Sequence, residues 1–576
     1  MFSYSSVSLF TLLCSALSYP SVFPTSNSTN SNSTKCRCFP GDDCWPSQEE
    51  WNNFNKTVGG KLIATVPIGS VCHNSDFGSF DEEACRTLQG HWPYPKTHFE
   101  SSSSIMAPYF TNYSCNPFSK PDAQCTMGNY VSYAVNATGT EDYQDTIAFV
   151  RKHNIRMVIR NTGHDYLGKS TGAGALAIWT HHMKDMELID YKSPSYTGKA
   201  MKMGAGVQVW ESYKFTHDHG YTNVGGDCAT VGVAGGYTQG GGHGPGASKF
   251  GPAADQALEW EVVTGTGEVL TANQEQNQDL YWALSGGGGG TYGVVSSLTV
   301  KVYPDLKSSA ANLTFPFEGT NNESFWDAVE TFIHESPSLM ESGCFAIWSF
   351  DAKEGFRLWP TNCPGLPQAD LQKILSPTLE KLRQHNISHK FMIDEFDTFY
   401  SSYQTFNARH EISTTIQGSR LIPRSVFDTN FTQLMSIYRH YVAAGLSVAA
   451  TANNESMQNF PPTTNSVDPV RRQAVFNSMM SMPLHPTDHA INQARYAEMT
   501  NTYLPLLTNL TPGARAYMNE ADYQQPDWQK VFYGENYARL LGVKDKYDPE
   551  GIFFAVTGVG SEQWFQDRDS RLCRVR

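Results

Sequence analysis

The chain has 576 residues, 40% hydrophobic and 17% charged, with a formal net charge of −14 at pH 7. An acidic balance of that size excludes nucleic acid and anionic membrane surfaces as partners. The length exceeds a single ordinary core, so two domains are expected.

Residues 1–18 start without charge, carry an apolar run over 7–17 and end in small residues. The run is too short to span a bilayer and reads as a signal peptide. Eleven N-x-S/T sequons follow, from Asn27 to Asn509. With the leader they predict a secreted, extracellular chain that carries N-linked glycans and has no membrane span. Of twelve cysteines Cys14 lies in the leader, which leaves eleven. In an oxidising compartment an odd count implies one thiol that is free or bonded to something other than cysteine. Ten sit near chain ends or in polar loops and can form five disulfides of open connectivity. Cys228 is the odd one.

Residues 19–126 form a Cys/Ser/Asn-rich extension. From 127 the pattern turns regular. A strand is expected over 130–135, then a helix capped by Thr140 with Tyr143, Ile147 and Val150 on one face, then a strand over 156–159. This β-α-β unit runs into "RNTGHDYLGKSTGAGALAIW", whose small residues suit an anion-cradling turn. "ALAIW" and "MKMGAGVQVWE" read as strands. Next comes "GGDCATVGVAGGYTQGGGHG", 225–244, with nine glycines in twenty positions, the density expected where backbone must approach a ligand. A helix near 280–284 precedes a third glycine cluster, "SGGGGGTYG". "VVSSLTVKVYP" then alternates like a half-buried strand, whereas a Walker loop or Rossmann turn would run into a helix. Residues 309–510 read as a second domain with helices over 325–334 and 371–385. Residues 511–576 end in helix, turn and strand, returning to the first domain.

Three of these segments together resemble the berberine-bridge-enzyme-like members of the vanillyl-alcohol-oxidase flavoprotein superfamily, nearest to fungal isoamyl-alcohol-oxidase-like secreted oxidases. "IRNTGHDYLG" resembles the family's Arg-Ser-Gly-Gly-His turn, "CATVGVAGG" its Cys-Pro-Thr-Val-Gly segment, and "WALSGGGGGTYGVVSSLTVKVYP" the stretch closing its FAD domain. The resemblance covers 127–308 and 513–560. It implies an α+β fold, with a two-subdomain PCMH-type FAD-binding domain over 127–308 and a substrate domain over 309–510 built on an antiparallel sheet covered by helices. It also implies FAD bound covalently twice, through His164 to the 8α methyl and through Cys228 to the ring's six position.

By the same resemblance the cofactor is held by Arg160, Asn161, Thr162, Gly163 and Asp165 of the first segment. The second contributes Asp227, Thr230, Gly232, Val233, Gly236, Gly240, Gly241 and Gly242, and the third Gly293 and Val295. Asn519, Tyr533 and Asn536 complete the set from the C-terminal segment. Thr162, Ala229 and Tyr237 depart from the family pattern, the last on the substrate side. Val233 resembles a residue that gates oxygen access. "YMNE", 517–520, matches the family's Tyr-x-Asn, making Tyr517 the first candidate base and Glu520 the second. The histidine pairs His181–His182 and His217–His219 lack carboxylate partners at useful spacing, so no metal is expected.

The leading expectation is an oxidase of small-molecule alcohols that reduces molecular oxygen to hydrogen peroxide. A carbohydrate oxidase acting on sugars, an oxidative cyclase or desaturase of a secondary metabolite, and a non-catalytic glycoprotein are the alternatives.

Overall fold

The computed structural model describes residues 36–407, 411–412, 414–456 and 464–575. The leader, Asn27 and Asn32 lie outside them. The β-α-β unit forms as expected: Tyr133–Asn136 and Arg156–Arg160 both pair parallel to Ala175–Trp179. A short antiparallel strand, Leu62–Ala64 of the extension, completes this four-stranded sheet. The connecting helix Thr140–His153 buries Tyr143, Ile147 and Val150 at helical spacing. Acidic residues stand in its first turn and basic ones in its last, which complements the helix dipole. Its N-cap is Gly139 rather than Thr140, which begins the helix itself.

A five-stranded antiparallel sheet follows, ordered Met186–Lys192, Thr197–Gly204, Val294–Lys301, Ala257–Val263, Val269–Asn273. Two expectations change here. Val294–Lys301 is buried along its whole length instead of on one face, because it is the central strand with core on both sides. "MKMGAGVQVWE" is a strand only to Gly204. A capping box between Gln208 and Glu211 starts the helix Val209–Asp218.

The chain then builds a seven-stranded antiparallel sheet, ordered Lys390–Phe396, Ser308–Phe315, Gly355–Pro364, Phe345–Asp351, Ser447–Ala452, Ala474–Pro483, Thr415–Pro423. Helices Asn322–Glu341, Gln368–Gln384 and Phe431–Ala443 cover one face. There Phe325, Leu371 and Tyr438 pack with Ala346, Trp348 and Phe350 in one core. The alternate residues Phe345 and Ile347 point to the other face, toward a cleft shared with the first domain.

The C-terminal segment returns as the helix Tyr537–Tyr547, and the strand expected after it shrinks to one bridge between Phe553 and Met157. Asp548 explains this: its carboxylate accepts the backbone N–H groups of Ile552 (2.8 Å) and Phe553 (2.9 Å), donors that a longer ladder would need. The ten cysteines make five disulfides: Cys36–Cys573, Cys38–Cys44, Cys72–Cys85, Cys115–Cys125 and Cys344–Cys363. Cys228 is the free cysteine among the described residues. No helix among them is long and apolar enough to cross a membrane.

Candidate active site

Where the strand Arg156–Arg160 ends, the chain turns through Gly163 at φ +81° and presents His164 to a cleft of about 420 Å³. Cys228 faces it. His164 Nε2 lies 2.6 Å from Thr230 Oγ1 and 3.9 Å from Cys228 Sγ. Burial pushes the Cys228 thiol up to about 11, although hydrogen bonding to Thr230 opposes this.

The cleft fits a flat, polar-edged ring system such as a flavin. A Cβ at Gly236 would meet nothing within 4 Å, and one at Gly289 would strike Gly236 Cα at 2.8 Å, so the two glycine clusters present bare backbone to the cavity. Asn161 Oδ1, Gln239 Oε1 and Tyr237 Oη, all on cleft-lining residues, are buried without a hydrogen-bond partner among the described residues. Native interiors rarely leave such groups unsatisfied, and a bound heterocycle would complete them.

Asn161, Thr162, Gly163, Asp165, Asp227, Gly232, Gly236, Gly293, Val295 and Asn519 line the cleft as expected from sequence. Thr230 reaches it through His164. The Asp165 carboxyl accepts from Leu167 N (3.0 Å) and Ser170 N (2.8 Å), so it shapes the turn. Six expected residues sit elsewhere. Arg160 is 1% exposed and turns into the N-terminal extension, donating to the carbonyls of His98 and Ser101. Val233 is 1% exposed within the core beside Val207 and Val209, while Val231 faces the cleft. Gly241 and Gly242 allow close packing, since a Cβ would meet Arg471 Nη1 at 2.6 Å and Ala253 Cβ at 2.7 Å. Tyr533 donates to Thr557 O (2.9 Å) and Asn536 to Ser466 O (3.1 Å), both holding the C-terminal segment. Gly240 lies beside the cleft, where a Cβ would meet Asn519 Nδ2 at 2.5 Å.

The other half of the site is an acid–base cluster. Asn519 Nδ2 donates to Tyr517 Oη (2.8 Å) and to Gly236 O (2.8 Å), tying the tyrosine to the glycine backbone. The Arg471 guanidinium carbon stands 4.3 Å from the centre of the Tyr517 ring, and Arg471 is itself paired with buried Glu455 at 2.8 Å. Burial raises the Tyr517 hydroxyl to about 12, with Arg471 pulling against that rise and Glu520 adding to it. Glu520 accepts from Asn477 Nδ2 (2.9 Å) and pairs with His243 Nε2 at 2.8 Å. Burial alone would raise the Glu520 carboxyl, but His243, Asn477 and Arg471 together hold it below its ordinary value. At neutral pH the site therefore contains a carboxylate beside a protonated phenol.

His243, Arg471, Glu455 and Asn477 were not read from sequence. Only His243, inside "GGGHG", carried a local signal. The Glu520 and Glu455 carboxyls are both depressed. Such groups contribute stability above the unfolded value near 4.5, and lose it as pH falls through the folded value. Melting temperature should accordingly fall on acidification below about pH 4.5, and less steeply in Glu520→Gln. Equal slopes in both proteins would remove Glu520 from that account.

A family model described as "FAD binding domain" matches residues 131–273, and one described as "Berberine and berberine like" matches 516–560. The chain is 45% identical over 553 residues to the FAD-linked oxidoreductase sor8 of Hypocrea jecorina, covering 95% of this chain and 94% of that protein. This protein is a berberine-bridge-enzyme-like FAD-linked oxidoreductase of the vanillyl-alcohol-oxidase superfamily. Within this superfamily, it is also 41% identical to the VAO-type flavoprotein oxidase VAO615 of Thermothelomyces thermophilus, over 95% of this chain and 97% of that one. The crystal structure of the VAO-type flavoprotein MtVAO615 from Myceliophthora thermophila superimposes with a TM-score of 0.88 at 39% identity, covering 94% of this chain and all of that one. The FAD-linked oxidoreductase thus shares that fold along nearly its whole length.

Proposed function

We propose that this FAD-linked oxidoreductase is a secreted oxidase that removes a hydride from a largely apolar alcohol and reduces molecular oxygen to hydrogen peroxide. We read the cofactor as attached to both His164 and Cys228. Bound FAD supplies the hydride acceptor and the route for electrons to oxygen. The chain's own residues supply the rest. Asn519 orients Tyr517 as the base for the substrate's hydroxyl proton, Arg471 stabilises negative charge developing on its oxygen, and the Glu520 carboxylate, paired with His243, is the second candidate.

The observation that carries this reading is the contrast between that polar cluster and the rest of the sheet wall, beyond the Asn477 that bonds Glu520. The seven-stranded sheet offers Phe345, Ile347, Thr451 and Met479 to the cleft, with one hydroxyl among them. A sugar ring carries several hydroxyls, each needing a partner on leaving water. Solved carbohydrate oxidases such as chitooligosaccharide oxidase share the fold at 17% identity, which speaks to architecture alone. The oxidative-cyclase alternative keeps support from a 40% identical relative, the bifunctional decalin synthase calF of Penicillium decumbens. Secretion is supported by the leader and the sequons, since none of the sequon asparagines among the described residues is buried.

The test is peroxide release across a panel of long-chain and aromatic alcohols and oligosaccharides. Peroxide with alcohols and not with sugars supports the reading, and the reverse overturns it. Oxygen access is a separate measurement. Val231, not Val233, faces the cleft, so Val231→Ile should slow reoxidation of the reduced enzyme. Val233→Ile should leave reoxidation unchanged while costing about 1–3 kcal/mol by overpacking. Stopped flow separates the two, and slow reoxidation in Val233→Ile alone would reverse the assignment.

A further inference from the structure

The two residues read as flavin attachment points sit on loops that the FAD-binding domain does not hold by itself. The His164 loop leans on the N-terminal extension. Arg160 Nη2 donates to His98 O and Ser101 O, each at 2.8 Å, and Met106 N donates to Gly163 O at 3.2 Å. A Cβ on Gly163 would lie 3.4 Å from Ser104 O. At this contact the extension is pinned by its own hydrogen bonds. The His98 ring is fully buried between Ser104 Oγ and Trp92 O, each at 2.8 Å, and burial holds its pKa down to about 4. It is therefore a neutral, doubly hydrogen-bonded fixture at physiological pH.

The Cys228 loop leans on the other domain. On the helix Phe399–Phe406, Tyr403 Oη donates to Asp227 O at 2.8 Å. Asn407, the C-cap of that helix, hydrogen-bonds the Asp227 carboxyl. Both contacts end on the residue next to Cys228, and Tyr403 is 6% exposed.

We infer that Arg160 and Tyr403 are positioning residues for flavin attachment, each acting on one bond: Arg160, through the extension, on His164, and Tyr403, through the substrate domain, on Cys228. The inference rests on the reading that both bonds form. Each attachment replaces one side-chain N–H or S–H and one flavin C–H by an N–C or S–C bond. Two protons and two electrons leave in each case, reducing molecular oxygen to hydrogen peroxide. Bond formation of this kind demands near-contact geometry, and a misplacement of about 1 Å can cost about 100-fold in rate. Neither brace touches the cleft, so neither takes part in the chemistry itself. Their effect is on which atoms meet.

The test is peptide mass spectrometry of wild type, Arg160→Gln and Tyr403→Phe, each expressed as the full chain with thermal melting as a check on folding. Wild type carrying FAD mass on both the His164 and the Cys228 peptide establishes the premise, and its absence from either defeats the premise. With the premise in place, Arg160→Gln should lower occupancy at His164 about tenfold or more, with Cys228 unchanged. Tyr403→Phe should do the converse. Loss at both sites together, or at neither, in folded protein overturns the inference. Should Arg160→Gln fail to fold, Tyr403→Phe decides alone, since it removes one hydroxyl from an otherwise intact packing site.

Discussion

Tyr517→Phe should slow flavin reduction by about 100- to 10,000-fold, the usual contribution of a general base, while leaving the melting temperature almost unchanged. Phenylalanine keeps the ring that Arg471 stacks on at 4.3 Å and removes an oxygen whose hydrogen-bond partner among the described residues is Asn519. The pH dependence adds a second readout. With its hydroxyl pushed up to about 12, a Tyr517 that must ionise before reaction gives a rate that rises tenfold per pH unit through neutrality. A proton passed directly to Glu520, already ionised there, gives a flat profile above the carboxylate range. Flavin reduction within a few-fold of wild type in Tyr517→Phe would move the base to Glu520, and Glu520→Gln would then carry the loss.

Wild-type protein should retain all of its flavin through acid precipitation, and so should His164→Ala and Cys228→Ala, each held by the remaining bond. The double variant His164→Ala/Cys228→Ala should release it completely. His164 and Cys228 approach to 3.9 Å across the cleft, so one ring system can meet both. The raised thiol of Cys228 makes its unassisted reaction slow at neutral pH, because the thiolate is the nucleophile. Release of free FAD from His164→Ala alone would show that Cys228 forms no bond.

Sequence by itself determined the parts whose physics is local or arithmetic. An odd cysteine count singled out Cys228 before any pairing was known, since disulfides consume thiols in twos. Helix Thr140–His153 was legible because its apolar spacing and terminal charges belong to one continuous segment. Glycine density marked the backbone that a cofactor must approach. Only the tertiary structure decided which side chains converge. His243 and Glu520 meet across 277 residues and Arg160 meets His98 across 62, and no periodicity encodes such a meeting. Val231 and Val233 are both valines of one glycine-rich run, yet one faces the cleft and the other the core. That choice depends on how the turn docks against Val207 and Val209, because a short apolar segment is compatible with either direction until something packs against it.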